Sequence, residues 1–173
     1  TPAALGAAVA SDPDGTVVAL APPTGEAPAA AVRRAGGVVV AAGGCFDVLH
    51  AGHVQLLEHA RGLGDHLVVL VNGDASLRRL KGPGRPLNPV ADRVAILRSL
   101  ACVDEVMAFD EDTPSRPLRA LRPHLFVKGA DYEGADLEER RVMARWGGQV
   151  VLVPLVEGRS TSRLIDSAAA TGA

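Results

Sequence analysis

Cysteine and aromatic residues are scarce in this 173-residue sequence, and neither sign of charge is in large excess. The two cysteines, Cys45 and Cys102, are too few for a disulfide framework or a cysteine metal cluster, which fits a protein of the reducing cytoplasm. Aromatic residues make up 3% of the chain, so stacking of bases on aromatic rings is not expected. The net charge of −2 gives no general attraction to nucleic acid or to an anionic membrane. We therefore expect neither nucleic acid nor a membrane as a partner.

Several patterns of known chemistry are also absent. No apolar run is long enough to cross a bilayer. The G-x-x-x-x-G-K-[ST] phosphate loop does not occur, which argues against a kinase of that type. No Ser-His-Asp or Cys-His arrangement is evident, and both cysteines are interpreted as small buried apolar residues rather than nucleophiles. A covalent enzyme intermediate is therefore not indicated.

The residues that are abundant favour an α/β fold. Hydrophobic residues make up 47% of the chain, mostly Ala, Val and Leu, and apolar runs of strand length alternate with helical segments from residue 36 onward. Strands are predicted at 38–42, 66–72, 104–109, 124–127 and 149–155, and helices at 51–62, 90–100, 114–121, 137–146 and from 158 onward. Nearly continuous apolar strands that alternate with helices are typical of a parallel sheet covered on both faces. The sequence thus predicts a Rossmann-like, doubly wound sheet of about five mainly parallel strands with helices on both faces.

The chain is predicted to consist of an N-terminal extension and one functional domain. Residues 1–35 are rich in Ala, Pro and Gly and are predicted to be an extension or linker, with a short helix at 28–35. Residues 36–173 are predicted to form the functional domain. Within it, residues 78–86 are rich in Gly, Pro and basic side chains and are predicted to be a long loop.

The segment GCFDVLHAGH, residues 44–53, lies where the first predicted strand of the domain hands over to a helix. Ligands bind at the carboxyl ends of parallel strands, and a helix N-terminus suits phosphate. Glycines at 43, 44 and 52 allow an anion to approach the backbone closely. The segment therefore predicts a polyphosphate site with His50 and His53 as further donors. Zinc is not favoured, because no third ligand lies at a usual spacing.

Other polar loops are expected at the same edge, because right-handed crossovers bring all strand exits there. These loops are 72–74, 128–131 and 160–162. The basic residues Lys81, Arg85 and Lys128 are predicted to neutralise phosphates. The hydroxyls at 160–162 either cap a helix or bind terminal phosphate oxygens. Because four polar loops are expected at one rim, phosphate binding is favoured over helix capping.

Arg93 and three aspartates are further candidates. Arg93 lies at a predicted helix start, where the helix dipole disfavours a cation, and this suggests a ligand; an ion pair with Asp92 or Glu105 is the alternative. Magnesium that bridges phosphates needs only one or two carboxylates. The aspartates that either serve this role or form turns and caps are Asp47, Asp74 and Asp131.

The segment at 44–53 resembles the G-x-F-D-x-x-H-x-G-H signature of the cytidylyltransferase-like nucleotidyltransferases, and RSTS at 159–162 is similar to that family's second signature. The resemblance covers about residues 36–168. It narrows to the adenylyltransferase domain of bacterial ADP-heptose synthases through NGDAS at 72–76, RLKG and RPLNP within 79–89, FDEDTP at 109–114 and VKGADY at 127–132. Ala42 and Gly43 depart from the Thr-Asn that often precedes the signature, and Ala130 replaces a glycine.

The resemblance implies transfer of AMP from ATP to D-glycero-β-D-manno-heptose 1-phosphate by in-line attack, with release of pyrophosphate. It implies ATP as co-substrate, Mg²⁺ bound through the nucleotide phosphates, and a sugar kinase on the same chain or as a partner; a homodimer is left open. The alternatives are a CTP-dependent cytidylyltransferase for glycerol 3-phosphate or another alcohol phosphate, and a non-catalytic nucleotide-binding regulatory module.

The resemblance and the loop analysis together assign the site residues. The catalytic residues are predicted to be His50, His53, Lys81 and Lys128. The nucleotide is predicted to contact Gly44, Cys45, Phe46, Asp47, Gly52, Asn72, Asp74, Arg93, Gly129, Asp131, Arg159, Ser160, Thr161 and Ser162. The sugar phosphate is predicted to contact Lys81, Arg85 and Asp47. No protein side chain is predicted to hold a structural metal.

Overall fold

Five strands lie side by side in the computed structural model, which describes residues 27–129 and 138–154. They are β1 (Val39–Gly44), β2 (His66–Asn72), β3 (Glu105–Phe109), β4 (Leu125–Gly129) and β5 (Gln149–Val153). Their spatial order is β3-β2-β1-β4-β5, and every neighbouring pair is parallel. The predicted fold class is confirmed, and the sheet within the described residues is parallel throughout.

The strand order reverses at β1. From β1 the chain moves outward to β2 and β3, and then returns to add β4 and β5 on the other side of β1. In open α/β sheets, a crevice forms outside the carboxyl ends of the strands at such a reversal, and ligands bind there. The 44–53 segment follows β1, and Lys128 and Gly129 end β4. The sheet therefore brings these predicted site segments to one crevice.

Six helices are present in the described residues. They are α1 (Pro28–Arg34), α2 (Ala51–Gly62), α3 (Asp74–Lys81), α4 (Val90–Arg98), α5 (Ser115–Leu121) and α6 (Glu138–Ala144). Helices α2 and α4 cover one face of the sheet, where Val40 and Ala42 point, and α1, α5 and α6 cover the other, where Val39 and Ala41 point. Both faces are buried, which explains the nearly continuous apolar strands. Among the helices of the described ranges, none has the length and apolar character needed to traverse a bilayer.

The predicted loop at 78–86 is wrong in its first half. Asp74–Lys81 form helix α3, and the loop begins at Gly82. An aspartate in the first turn and basic residues in the last turn suit the helix dipole, and Leu77 is buried beneath the helix. Gly82 ends the helix with a φ of 96°, which residues with side chains rarely adopt. The run of basic residues is thus the C-terminal turn of a short helix.

Helix α1 packs against the sheet. Ala29 is buried, and its amide donates to the Glu105 carboxylate at 3.0 Å. The Arg33 guanidinium donates to the carbonyl oxygens at the end of α5. The predicted short helix in this region is confirmed. The division of the chain at residue 35 stays a prediction, since residues 1–26 lie outside the described residues.

Candidate active site

The segment that joins β1 to α2 has an unusual backbone. Phe46 and Val48 have φ angles of 46° and 40°, in the left-handed region that residues with side chains rarely adopt. Each such residue costs on the order of 1–3 kcal/mol and persists only where surrounding contacts fix the backbone. Residues of this kind cluster at active sites. The contacts that hold this segment therefore show how the candidate site is built.

Arg93 holds three loops together from inside the protein, and its side chain has no exposed surface. Its Nη1 donates to the carbonyl oxygens of Cys45 and Asn72, each at 2.7 Å. Its Nε donates to the carbonyl oxygen of Asn88 at 3.0 Å, and its Nη2 pairs with Asp74 at 2.7 Å. These contacts give Arg93 a structural role, and its predicted contact with the nucleotide stays a prediction. Its acidic partner is Asp74 and not Asp92 or Glu105, the two considered from the sequence.

Asp47 joins the same segment to the loop that precedes α4. Its side chain is 3% exposed and accepts hydrogen bonds from the amides of Leu87 and Asn88, at 3.0 Å, and from Arg85, at 2.7 Å. Burial by itself raises the pKa of Asp47, but these hydrogen bonds and the charge of Arg85 outweigh it, and the pKa lies below its usual range. The two side chains bind each other, and their predicted contacts with a ligand stay predictions.

The substitution Asp47→Asn is expected to destabilise the protein at neutral pH and to have less effect in acid. Because the folded-state pKa is lowered, ionised Asp47 adds stability above the unfolded-state pKa of about 3.9, and this stability is lost as pH falls through the folded-state value. Urea unfolding of the wild type and the variant should give free energies that differ by about 1–3 kcal/mol at pH 7. The difference should shrink below about pH 4.

A matched control for Asp47→Asn is Asp112→Asn. Asp112 pairs with Arg79 at 2.8 Å, but both side chains are at least half exposed, so the substitution should change stability by less than about 1 kcal/mol. Equal effects of the two substitutions at pH 7, or an effect of Asp47→Asn that does not change between pH 7 and pH 3, would contradict the assigned role of Asp47.

His50 and His53 lie at the start of α2 with stacked rings. The ring centroids are 3.8 Å apart with an interplanar angle of 25°, and the His50 amide donates to Nδ1 of His53 at 3.4 Å. Burial, followed by repulsion from His50, lowers the pKa of His53 to about 4. His53 is therefore neutral at pH 7, and because Nδ1 is an acceptor, its proton lies on Nε2. The structure brings the predicted pair together, with His53 as a neutral N–H donor at a helix N-terminus.

Lys81 ends α3 with an exposed side chain whose charge reaches the segment after β1. Burial raises the pKa of the Cys45 thiol by more than the charges of Lys81 and Arg93 lower it. The thiol is therefore protonated at neutral pH, which agrees with the interpretation of Cys45 as an apolar residue rather than a nucleophile. Lys81 is left as a cation at the rim of the crevice.

Lys128 lies on the opposite side of the crevice from Lys81's helix, at the end of β4. Its Nζ is 2.7 Å from Oε1 of Glu139, and the two side chains are 13% and 7% exposed. A carboxylate this deeply buried is strongly destabilising without its partner, so the pair fixes the position of the lysine. No sequence pattern pointed to Glu139, because an acidic residue in the first turn of a helix is already explained by the helix dipole.

Comparison with protein families adds a match to the family described as cytidylyltransferase-like, over residues 41–165. The matched range contains the 44–53 segment, Lys81 and Lys128, and it makes up most of the chain. The chain belongs to the cytidylyltransferase-like family. The family resemblance carried by 44–53 and 159–162 is thereby confirmed.

Curated relatives of this cytidylyltransferase-like domain are longer proteins. Bifunctional protein HldE of Streptomyces coelicolor is 59% identical over 170 residues, which are 96% of this chain and 37% of the relative. Bifunctional protein HldE of Methylococcus capsulatus is 52% identical over 139 residues, which are 79% of this chain and 29% of the relative. The chain thus spans about a third of the length of the curated relatives it matches.

Solved structures with a similar fold agree with the family. The lipopolysaccharide core biosynthesis protein from Thermoplasma volcanium is 27% identical with a TM-score of 0.59, and the match covers 71% of this chain and 99% of that chain. A protein with unknown function from Archaeoglobus fulgidus is 22% identical with a TM-score of 0.54, and this likeness concerns the fold alone.

In this cytidylyltransferase-like fold, the end of β2 supports the crevice through internal hydrogen bonds. The side-chain amide of Asn72 donates to the Ser76 hydroxyl at 3.0 Å. The Asp74 carboxylate accepts from the backbone amide of Val90 at 2.8 Å and from the buried guanidinium of Arg93. These bonds connect β2, α3 and α4 into one frame. The predicted contacts of Asn72 and Asp74 with the nucleotide stay predictions.

The remaining predicted residues fall into two groups. Gly44, Phe46, Gly52 and Gly129 lie around the crevice, and a side chain at Gly44 would approach the Phe46 ring at 3.0 Å. Asp131, Arg159, Ser160, Thr161 and Ser162 lie outside the described residues, as does the helix predicted from 158 onward. Within residues 27–129 and 138–154, no group of three His, Cys, Asp or Glu side chains is arranged to hold a metal ion.

Proposed function

We propose that this domain transfers AMP from ATP to D-glycero-β-D-manno-heptose 1-phosphate and releases pyrophosphate. The observation that carries the proposal is the stacked pair of His50 and His53 at the start of α2, beside the crevice between β1 and β4. The choice of ATP and a heptose 1-phosphate rests on the resemblance of 72–89 and 127–132 to ADP-heptose synthases. It is supported by 59% identity to a bifunctional HldE protein.

A second activity on a neighbouring domain is part of the proposal. The relatives are named as bifunctional, and this chain spans about a third of their length. We infer that a sugar kinase, on the same chain or as a partner, supplies the phosphorylated sugar.

The proposed reaction depends on positioning and charge stabilisation. The sugar phosphate is already an anion at neutral pH, so no strong base is required. One of its oxygens forms a bond to the α-phosphorus while the bond from that phosphorus to the bridging oxygen breaks, and pyrophosphate leaves with the electron pair. Catalysis therefore consists of alignment for in-line attack and of preorganised donors for the developing charge.

The residues around the crevice supply these elements. His53 donates its Nε2–H to a phosphate oxygen that gains charge, and His50 lies beside it at the helix N-terminus. Lys81 approaches from α3, and Lys128, positioned by Glu139, approaches from β4. Two cations on opposite sides of the transferred group would hold both the nucleotide and the incoming phosphate.

Three further assignments belong to the same mechanism. Residues 159–162 are expected to bind the β- and γ-phosphates, and Asp131 to face the base or ribose. Magnesium fits as an ion held by the nucleotide phosphates, because Asp47 and Asp74 accept hydrogen bonds from protein donors. When bound, it would neutralise phosphate charge.

A pyrophosphate-release assay over nucleotides and sugar 1-phosphates tests the proposal. With ATP and the heptose 1-phosphate, we expect kcat/KM at least about tenfold above that for CTP or for hexose 1-phosphates, since a site that hydrogen-bonds one substrate leaves polar groups unpaired with another. Higher turnover with CTP and glycerol 3-phosphate would favour the cytidylyltransferase instead. No pyrophosphate release with any pair would favour the non-catalytic module.

A further inference from the structure

A second polar cleft lies at the edge of the sheet opposite the crevice. It has a volume of about 210 Å³ and is lined by Arg119, Arg122, Arg145 and Trp146. Arg119 is in α5, Arg122 follows it before β4, and the other two follow α6 before β5, so the cleft lies at the amino ends of these strands. Five residues at about 3.3 Å each separate it from the carboxyl edge by about 16 Å. A ligand in this cleft therefore does not contact the proposed reaction site.

Arg119, Arg122 and Arg145 line this cleft with exposed side chains, and none of the three has an acidic partner in the described ranges. Other arginines of the chain pair with carboxylates there, but no ion pair or side-chain hydrogen bond involves Arg119, Arg122 or Arg145. The C-terminal dipole of α5 or α6 favours each of these charges singly. It does not require that all three line one concavity.

The walls of the cleft are held in place. The Trp146 indole donates to the carbonyl oxygen of Pro123 at 2.9 Å, and the backbone of Gly148 packs so closely that a side chain there would approach the indole nitrogen at 2.8 Å. Arg122 has a left-handed backbone with a φ of 48°, and its carbonyl oxygen accepts from Arg33 at 2.7 Å. The indole and the backbone of the cleft walls are thus held in place, which lowers the cost of binding.

We propose that this cleft binds a small anion that carries at least two phosphate charges. Guanidinium groups match phosphate oxygens in a bidentate geometry, and three of them exceed what a single carboxylate needs. The volume is below the roughly 300–1,000 Å³ of sites for drug-sized ligands, so pyrophosphate or a bisphosphorylated sugar fits it better than a whole nucleotide does. The site goes beyond the proposed adenylyltransfer, since it lies at the other edge of the sheet.

The fluorescence of Trp146 gives a direct test, because it is the one tryptophan in the sequence. The whole chain is titrated with inorganic pyrophosphate, and separately with fructose 1,6-bisphosphate, at constant ionic strength set with sodium chloride. We expect a saturable change in emission with at least one of them, and the tighter of the two identifies the class. Arg145→Ala should weaken its Kd about tenfold or more, and Arg98→Ala, an exposed arginine at the end of α4, should leave it unchanged.

Three results would overturn the proposal. The first is the absence of a saturable change with either probe. The second is an equal Kd in wild type and Arg145→Ala, which would show that the guanidinium does not bind the anion. The third is loss of the signal in a folded His50→Ala, His53→Ala double variant, which would show that the anion binds at the crevice and affects Trp146 from there. Persistence of the signal in that variant supports a separate site.

Discussion

Replacing His53 by alanine is expected to lower kcat for pyrophosphate release by about 10²–10³, the usual cost of one preorganised donor to transition-state charge. The donor is the Nε2–H of a neutral ring, whose Nδ1 is fixed by the His50 amide. Because it is aimed at charge that develops during the reaction, KM for ATP should change much less than kcat. Steady-state kinetics with ATP and the heptose 1-phosphate measure both.

The matched control for this variant is His59→Ala. His59 is exposed on the same helix, so its removal should leave kcat within about twofold of wild type. A His53→Ala enzyme that retains its circular dichroism spectrum and turns over at the wild-type rate would contradict the assigned role.

The lowered pKa makes the pH profile part of the same expectation. With a pKa of about 4, His53 takes up no proton between pH 8 and about pH 5, so it should cause no loss of kcat in that range. A decline of kcat as pH rises, with a midpoint near the ordinary histidine value of about 6.5, present in the wild type and removed by His53→Gln, would show that His53 works as a cation instead.

The sheet was predictable from the sequence because its strands are buried on both faces. A buried parallel strand needs an unbroken apolar run, and the run at 66–72 gives the bounds of β2 directly. Helix α3 was not predictable in the same way. Its eight residues carry three basic side chains in the last turn, and its apolar contact is mainly Leu77, so neither periodicity nor length separated it from a loop.

In the candidate site, features that are contiguous in the sequence were predictable, whereas contacts between distant residues were not. The 44–53 segment was predictable because its residues are contiguous. A strand end followed by glycines and histidines indicates a phosphate site without knowledge of the rest of the fold. The contacts that hold the segment were not predictable. Arg93 meets Cys45 across 48 positions, and Asp47 meets Leu87 across 40. Such pairs depend on which loops the sheet order brings together, and no local pattern marks them.

Arg93→Met is expected to destabilise the protein by about 3–5 kcal/mol, as is usual when one partner of a buried ion pair is removed. The methionine retains apolar volume but removes the guanidinium donor from the carbonyl oxygens of Cys45, Asn72 and Asn88, and it leaves the Asp74 carboxylate without its cation. Since whole domains are stable by only about 5–15 kcal/mol, the loss should be evident as a large shift of the urea midpoint.

Two further variants separate the contribution of the Arg93 hydrogen bonds from that of its positive charge. Arg98→Met, on the exposed side of the same helix, should change stability by less than about 0.5 kcal/mol. Arg93→Lys keeps the charge, but a single ammonium cannot reach four acceptors in the fixed geometry of the guanidinium fork, so most of the destabilisation should remain. Stability close to wild type in Arg93→Lys would show that charge alone suffices. Stability close to wild type in Arg93→Met would show that the strained segment after β1 is held by Asp47 and not by Arg93.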